Sequence, residues 1–377
     1  MEQTYDVIVV GGGIIGNAIA YELAKEQQRV AIIEEATIGS KTTRAAAGML
    51  GAHSEYDGEA DAFFSFARHS QSRYATLAKE LHTLTGIDIA MQGRGILKLA
   101  FTEEEKQKLQ TLCEQPTVTW LDAAHVKQME PTVSNAIIGA AHIQHDVHIL
   151  PLRACEAFAK GAVMRGATLY EHTSVQRIDK KGDSFHVDTT RGLLKAKQVV
   201  IAAGVWSNVF FKQLGLPHDI TPVKGECMAV QARNVHLAHT LFHEQCYIVP
   251  RSNGELVIGA TMKPNDWSTD VTLNGIETLV QKAKMLLPAI GELAITRTWA
   301  GLRPAHDTPM IGVHPHDEAL FFATGHGRNG ILLAPATAEL IKNLLLKKET
   351  RTEWVNAFQL KGGNTHDYGQ WQASTTC

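Results

Sequence analysis

The chain has 377 residues, which is enough to bury a large core and to form two domains. Lysine and arginine total 36 against 39 aspartates and glutamates, so the formal net charge is −3. This balance excludes the strongly basic character of a nucleic-acid-binding protein, and we expect no nucleic-acid partner.

Cysteine usage and hydropathy narrow the class of protein further. The five cysteines are never spaced as CxxC, which suits a reducing cytosol and argues against a zinc or iron–sulfur site. The 18 histidines form no HExxH motif, so no metal is predicted. No apolar run approaches the roughly 18 residues of a membrane-spanning helix, and the N-terminal segment lacks the basic start of a signal peptide. We expect a soluble, cytoplasmic protein with no membrane partner.

The first motif is a glycine turn between a strand and a helix. Residues 7–10 are apolar and β-branched, as expected for a strand buried on both faces. In the turn that follows, Gly11 permits a tight bend, Gly13 lets the backbone approach a pyrophosphate, and Gly16 allows the helix to pack on the strand. The phosphates would lie at the helix N-terminus, where unpaired N–H groups favour negative charge.

A second strand at 30–33 ends in Glu34, about 20 residues beyond the turn, where a carboxylate can bind the ribose hydroxyls of a dinucleotide. The motif leaves open whether that dinucleotide is NAD or FAD. The alternative is a structural glycine turn with a solvated Glu34.

Small and hydroxylated residues follow at 39–49. The side chains at 45–48 would let a flat ring lie against the backbone, and Thr42 and Thr43 could bond phosphate or ribityl oxygens. The alternative is a helix N-terminus capped by either threonine.

The rest of the chain alternates helical and strand patterns. Helices are predicted at 62–85, ended by Gly86, and at 103–113, 123–129, 151–165 and 276–287. Strands are predicted at 95–100, 168–171, 174–179, 184–189, 193–203, 225–230, 245–250, 255–260 and 320–324. The strand at 193–203 leads into Gly204, which suits a second backbone approach to the same cofactor or, alternatively, a simple helix start.

A glycine loop at 325–330 precedes the last long helix, which runs to about residue 347. Because proline lacks an N–H group, Pro335 is expected in the first turn, close to that loop. The polar residues 362–377 are expected to form a loose tail.

Taken together, these segments resemble the D-amino-acid oxidase family of FAD enzymes over residues 3–360. Within the family the chain is similar to bacterial enzymes that oxidise glycine for thiamine thiazole synthesis. The resemblance is carried by the turn at 11–16 with Glu34, Thr42-Thr43, the segments 45–49, 222–226, 247–250, 258–262 and 299–304, and the loop and helix start at 325–333.

The resemblance implies an α/β fold in which a Rossmann-like FAD-binding domain of the GR2 type joins a second α+β substrate domain built on a large antiparallel sheet. We expect the FAD domain at 1–88, 142–221 and 301–361, and the substrate domain at 89–141 and 222–300. FAD would be noncovalent, because residues 304–313 lack the cysteine that attaches flavin in some related sarcosine oxidases. A homotetramer is common in the family.

The implied reaction is oxidative deamination of glycine, sarcosine or small D-amino acids to the imine and then the 2-oxo acid (glyoxylate from glycine), with ammonia and hydrogen peroxide as further products. The expected partners are the amino acid, dioxygen and possible thiazole-synthesis enzymes. Alternatives are a dehydrogenase that uses another electron acceptor, a sarcosine oxidase-like enzyme, a scaffold subunit with bound FAD, and an NAD-dependent dehydrogenase.

The resemblance also assigns site residues. Arg303 matches the carboxylate clamp, Tyr247 a phenol donor to the same carboxylate, and Arg328 a second arginine. Met262 and Gly51 would line a small substrate pocket, and His326 would be a flavin-loop residue rather than a base. The predicted cofactor-binding residues are Gly11, Gly13, Ile14, Ile15, Gly16, Glu34, Glu35, Thr42, Thr43, Ala47, Gly48, Met49, Val175, Gly204, His326, Gly327, Arg328, Asn329, Gly330, Ile331 and Leu332.

Overall fold

A computed structural model describes residues 4–54, 61–244 and 246–360. Its first elements in chain order are β1 (Thr4–Val10), α1 (Ile14–Lys25), β2 (Val30–Ile33), α2 (Thr42–Ala45), β3 (Met49–Leu50), α3 (Ala62–Thr85), β4 (Ile96–Ala100), α4 (Glu103–Leu112), β5 (Val118–Asp122), α5 (Ala123–Met129), β6 (Gly139–Ile143), β7 (Val147–His148), α6 (Pro151–Met164) and β8 (Thr168–Tyr170).

The remaining elements are β9 (Val175–Lys181), β10 (Ser184–Thr189), β11 (Gly192–Ile201), α7 (Ser207–Gln213), β12 (Thr221–Gln231), β13 (Thr240–His243), β14 (Cys246–Pro250), β15 (Glu255–Gly259), β16 (Lys263–Pro264), α8 (Leu273–Leu286), β17 (Ile295–His314), β18 (Asp317–His326), α9 (Gly330–Leu345) and α10 (Thr352–Phe358).

The parallel part of the main sheet has β1 near its centre. The strand order is β8-β2-β1-β11-β18, and every neighbouring pair is parallel. Alternate residues of β1 point to opposite faces: Val7 and Val9 pack with α1, α3, α6 and α9, whereas Ile8 packs beneath the β9–β11 meander. Both faces are therefore covered, as the continuous apolar run predicts.

The same sheet continues into a mostly antiparallel part ordered β5-β6-β4-β13-β14-β15-β12-β17. Helix α8 covers one face of it through Leu279, Ala283 and Leu286. The 20-residue strand β17 pairs with β12 on one side and β18 on the other, so it joins the two parts. The predicted fold class, α/β with a large antiparallel sheet, is confirmed, while the domain boundaries stay a prediction.

Most predicted elements agree with the structure within a few residues. Helix α3 has the predicted bounds, and Gly86 ends it with a φ of +74°. Strands β5, β6, β13 and β17 were not predicted. The start of the predicted strand at Gln245 and the predicted tail 362–377 lie outside the described residues. No helix among the described residues is long and apolar enough to cross a bilayer.

The prediction that Pro335 lies in the first turn of the last helix is wrong. Helix α9 begins at Gly330, so Pro335 lies in its second turn and cannot donate to the carbonyl of Ile331. The Tyr74 hydroxyl from α3 donates to that carbonyl instead. The next amide, that of Ala336, donates to Ser70 Oγ at 3.0 Å. Side chains of α3 thus satisfy backbone groups around the proline.

Tyr74→Phe should test this compensation. The variant leaves the buried Ile331 carbonyl without its donor, so the free energy of unfolding should fall by about 1–3 kcal/mol. Tyr170→Phe is the matched control, because its hydroxyl is only partly buried against Tyr5, and its loss should change stability by less than about 1 kcal/mol. Urea unfolding measures both, and equal effects would contradict the account.

Candidate active site

A cavity of about 420 Å³ lies between the two parts of the sheet. Residues from the glycine turn, the 39–51 segment, the end of β11, the antiparallel strands and the start of α9 line it. Among the predicted site residues, these line the cavity: Gly11, Gly13, Ile14, Ile15, Glu34, Glu35, Thr42, Thr43, Ala47, Gly48, Met49, Gly51, Val175, Gly204, Tyr247, Met262, Arg303, His326, Gly327, Arg328, Asn329, Gly330 and Ile331.

The glycine turn is shaped by close backbone contacts. Gly11 has a φ of +113°, and a Cβ there would lie 2.4 Å from the carbonyl oxygen of Ala202. A Cβ on Gly16 would lie 2.0 Å from the carbonyl oxygen of Gly11, so Gly16 serves packing, as predicted, and does not line the cavity. Gly13 caps α1 without a side chain, and no acidic residue lies in the first turn. The N-terminus of α1 therefore presents backbone amides and the positive end of its helix dipole to the cavity.

Glu34 is held rigidly at the edge of this turn. One carboxylate oxygen accepts from the Gly12 amide at 2.7 Å, and the other accepts from the Ala36 amide at 2.9 Å. A Cβ on Gly12 would lie 2.7 Å from the Cβ of Glu34, so only glycine allows this approach. Each oxygen keeps lone pairs that a ribose hydroxyl can use. The role of Gly12 was missed, because its spacing does not belong to the motif.

The same end of the cavity holds a cationic side chain over an aromatic ring. Lys41 Nζ lies 2.7 Å from a carboxylate oxygen of Glu35 and 4.0 Å from the centre of the Trp206 ring. Lys41 and Trp206 both line the cavity. Sequence reasoning missed this pair because the residues are far apart in the chain. Gly204 lines the cavity and also begins a short 3-10 helix, so its predicted approach to the cofactor stays a prediction.

Contacts from distant strands fix the segment at 45–49. Trp299 Nε1 donates to the carbonyl oxygen of Ala45 at 3.0 Å, and Arg251 donates to the carbonyl oxygens of Ala47 and Ile149. Burial lowers the pKa of Arg251 to about 10, which still leaves it charged at neutral pH. Arg251 was not predicted, since nothing in its local sequence marks it.

The two threonines do not cap α2, so that alternative is wrong. Thr43 Oγ1 accepts from the Ile14 amide at 3.0 Å and thus serves the start of α1 instead. Thr42 Oγ1 donates to the carbonyl oxygen of Leu302 at 2.8 Å.

The start of α9 also lines the cavity. Its N-cap residue, Asn329, makes no side-chain cap, and the first turn contains no acidic residue. In the preceding loop, Gly325 and Gly327 have φ values of +74° and +54°. His326 is buried, its Nε2 lies 3.1 Å from Thr337 Oγ1, and burial lowers its pKa to about 3. Leu332 was predicted to bind the cofactor, but it does not line the cavity, because its side chain packs in the hydrophobic core.

Arg303 is the main cation in the antiparallel part of the cavity. Its Nη1 donates to the carbonyl oxygen of Thr261 at 3.2 Å, and a Cβ on Gly225 would lie 2.3 Å from that nitrogen. Among the described residues, no carboxylate lies within ion-pair distance of Arg303. Arg328 is exposed and lines the cavity on its outer side.

Tyr247 stands close to Arg303 in the same wall. Its hydroxyl lies 3.6 Å from Cys227 Sγ, and a Cβ on Gly259 would lie 2.3 Å from its oxygen. Burial, with a smaller effect of Cys227, raises the pKa of Tyr247 well above its ordinary value. The phenol is therefore a hydrogen-bond donor at every physiological pH. Cys227 was missed, because a lone cysteine in a strand carries no local signal.

One group of potential metal ligands occurs within the described part of the chain, although the sequence predicted none. Glu105, His243 and Glu244 bring one ligand atom each within 4.8 Å of the others. Glu105 already closes a capping box at the start of α4 and lies 3.1 Å from His243 Nε2. These contacts account for the closeness of Glu105 and His243 without an ion.

The cavity suits a dinucleotide with a flat ring at one end. Two helices, α1 and α9, begin at the same cavity without a side-chain cap from their own N-cap residues, and each helix start can stabilise negative charge. The first fits a pyrophosphate, beside a carboxylate for ribose. The second, at 329–331, fits an electron-rich ring edge. The glycine-lined walls leave room for the ring itself.

Comparisons with known proteins agree with this reading. A family described as FAD dependent oxidoreductase matches residues 6–344. Glycine oxidase of Bacillus subtilis (strain 168) is 49% identical over 362 residues, covering 96% of this chain and 98% of that protein. The bifunctional protein ThiO/ThiG of Synechocystis sp. is 34% identical over 95% of this chain and 54% of its own length. The crystal structure of glycine oxidase from Geobacillus kaustophilus has a TM-score of 0.92 and 40% identity, covering 96% of this chain and all of that one.

The resemblance seen in the sequence is thereby confirmed. Because the family match spans most of the chain and the cavity suits the family's cofactor, the chain belongs to the FAD dependent oxidoreductases and its cofactor is FAD.

Proposed function

We propose that this chain oxidises glycine, with sarcosine and small D-amino acids as further substrates. The observation that carries the proposal is the pairing of Arg303 and Tyr247 in one wall of the FAD cavity. The relatives named glycine oxidase, which match almost the whole chain, support the same activity.

Arg303 would bind the substrate carboxylate. A guanidinium forms two parallel hydrogen bonds with a carboxylate, and the charge on each partner strengthens them. Tyr247 would donate its phenol proton to the same group, because its raised pKa keeps it protonated. Arg328, which is exposed, would add positive charge that attracts an anionic substrate end.

Met262 and Gly51 would set the size of the pocket. Both line the cavity, and a Cβ on Gly51 would lie 2.4 Å from Ser54 Oγ. The wall at Gly51 thus has little free space, and Met262 lines the cavity with a flexible apolar side chain. Such a pocket favours glycine over amino acids with larger side chains.

Bound FAD supplies the hydride acceptor. Glycine would lose a hydride from its α-carbon and an amine proton to give the imine, which water converts to glyoxylate and ammonia. Dioxygen would take up the two electrons and two protons as hydrogen peroxide. The protein's part is to hold the glycine carboxylate, which fixes the position of the α-carbon, and to stabilise negative charge on the ring edge with the start of α9.

The assembly and setting belong to the same proposal. Residues 89–141 and 222–300 would supply the substrate end, and the remaining segments would bind FAD. A homotetramer in the cytoplasm, linked to thiazole-synthesis enzymes, follows from the family resemblance. The Synechocystis relative, which carries the names ThiO and ThiG on one chain, supports a link to a second enzyme.

Anaerobic addition of glycine should bleach the yellow FAD of the purified protein. The reason is that two electrons pass from the amino acid to the cofactor, which loses its visible absorbance when reduced. Readmission of air should restore the colour and release hydrogen peroxide, measured with a peroxidase assay. Bleaching without recovery in air would indicate a dehydrogenase with another acceptor. A flavin that glycine, sarcosine and D-alanine all leave oxidised would contradict the proposed activity.

Arg303→Ala should raise the KM for glycine by about 10- to 100-fold, because a charged hydrogen bond is lost. Gly225→Ala tests the same group without removing it, since the new methyl displaces the guanidinium, and it should raise KM about tenfold. Gly312→Ala is the control, because its Cβ would meet only ordinary contacts. Steady-state kinetics, with the FAD content measured in parallel, gives the KM of each variant. An unchanged KM in Arg303→Ala would rule out Arg303 as the group that binds the substrate carboxylate.

His326 should contribute no ionisation to the reaction. Its pKa of about 3 means that the ring is neutral throughout the working range, and hydride removal from a neutral amine needs no protein base. The pH profile of flavin reduction between pH 5 and 9 should therefore have the same shape in His326→Gln as in the unchanged protein. Stopped-flow absorbance measures it. An inflection near pH 6.5 that the variant lacks would assign His326 a catalytic proton.

A further inference from the structure

Thr261 connects two faces of the sheet behind the substrate site. On the cavity face its carbonyl oxygen accepts from Arg303 Nη1 at 3.2 Å. On the other side its hydroxyl donates to the Glu226 carboxylate at 3.0 Å and accepts from the Glu226 amide at 2.8 Å. The residues on either side of Thr261, Ala260 and Met262, both line the cavity.

Glu226 and Gly225 are neighbours on β12 and therefore point to opposite faces. Gly225 lies beneath the Arg303 guanidinium, whereas Glu226 lies against the start of α8, where a Cβ on Gly275 would be 2.0 Å from a carboxylate oxygen. The Glu226 side chain is fully buried and never reaches the cavity.

Four donors converge on the Glu226 carboxylate. Besides the Thr261 hydroxyl, the Thr272 amide and hydroxyl donate at 2.8 and 2.9 Å, and Lys263 Nζ lies at 3.0 Å. Burial alone would raise the pKa of Glu226, but these hydrogen bonds outweigh it and hold the pKa at about 2. A carboxylate satisfied in this way is a rigid anchor rather than a group that titrates.

Lys224, two residues before Glu226 on β12, holds the same loop at further points. Lys224 is buried, and its Nζ lies 2.7 Å from Ser268 Oγ and 3.2 Å from Asp266. Residues 261–272 are therefore tied to β12 at several points, on the face away from the cavity. Breaking one partner of such a buried charge network loosens the others.

We propose that Glu226 is a positioning residue that sets the place of the Arg303 guanidinium and of Met262 through the Thr261 bridge. Glu226 does not touch substrate; it fixes the loop whose carbonyl orients the carboxylate clamp. This inference rests on the proposed function, since it assigns Arg303 to the substrate carboxylate.

Glu226→Gln keeps the shape of the side chain but removes its charge and presents an NH2 group to donors. The KM for glycine should rise about tenfold, with kcat within about threefold of the unchanged enzyme. The dissociation constant of acetate, read from its perturbation of the visible FAD spectrum, should rise to the same extent. Glu255→Gln is the matched control, because Glu255 also bridges polar groups of this sheet, Thr296 and Arg297, but has no contact with the loop.

Thr261 variants separate positioning from folding. Thr261→Val removes the hydroxyl and keeps the backbone carbonyl, so it should raise both the KM for glycine and the dissociation constant of acetate. Thr261→Ser keeps a hydroxyl, so both constants should stay close to those of the unchanged enzyme. If Glu226→Gln fails to fold, this pair still decides. If KM and the acetate dissociation constant stay within twofold of the unchanged enzyme in both Glu226→Gln and Thr261→Val, the positioning role of Glu226 is overturned and the proposed function is not affected. An unchanged enzyme whose FAD is neither reduced by glycine nor perturbed by acetate would overturn the proposed function and this inference with it.

Discussion

The electrostatic field of two helix ends is the constraint on which the site depends. Helices α1 and α9 both begin at the cavity, and in neither does the N-cap residue cap the helix with its side chain or an acidic residue lie in the first turn; in α1 the Ile14 amide is bonded to Thr43 Oγ1. Unpaired amides at a helix start favour an anion or an electron-rich ring edge. A globular protein that served only stability would cap these ends, since a cap contributes about 1 kcal/mol. Because both helix starts line the same cavity, they indicate a ligand with two such regions.

Strand β17 makes this arrangement possible. It pairs with β18 beside the parallel strands and with β12 in the antiparallel part, so one continuous element carries Gly301 and Arg303 to the cavity and Trp299 to the segment at 45–49. Trp299 binds the backbone of Ala45, and Gly301 leaves room for that residue. The wall that holds the cofactor and the wall that holds the substrate are thus parts of the same sheet, and their spacing is set by backbone pairing.

Local chemistry in the sequence predicts the dinucleotide end well. The glycine turn, the buried strand and Glu34 act within one short segment, where spacing fixes geometry. The residues that the sequence did not predict are different, because Gly12, Lys41, Trp206, Cys227 and Arg251 gain their roles from contacts across 20 or more residues. The Pro335 error has the same origin: helix propensity alone excludes a proline there, and the compensating hydroxyls come from α3.

The surroundings of Arg303 give a physical reason for its proposed role at the substrate carboxylate. Its guanidinium is half-buried, accepts no described carboxylate as a partner, and has one backbone carbonyl for its five N–H donors. A half-buried cation without a counter-charge loses part of its hydration free energy in the free protein. The neighbouring Tyr247 and Cys227 are neutral and cannot balance the charge. An anion that enters the cavity therefore recovers that free energy, and a planar carboxylate recovers most of it because it can meet two donors at once.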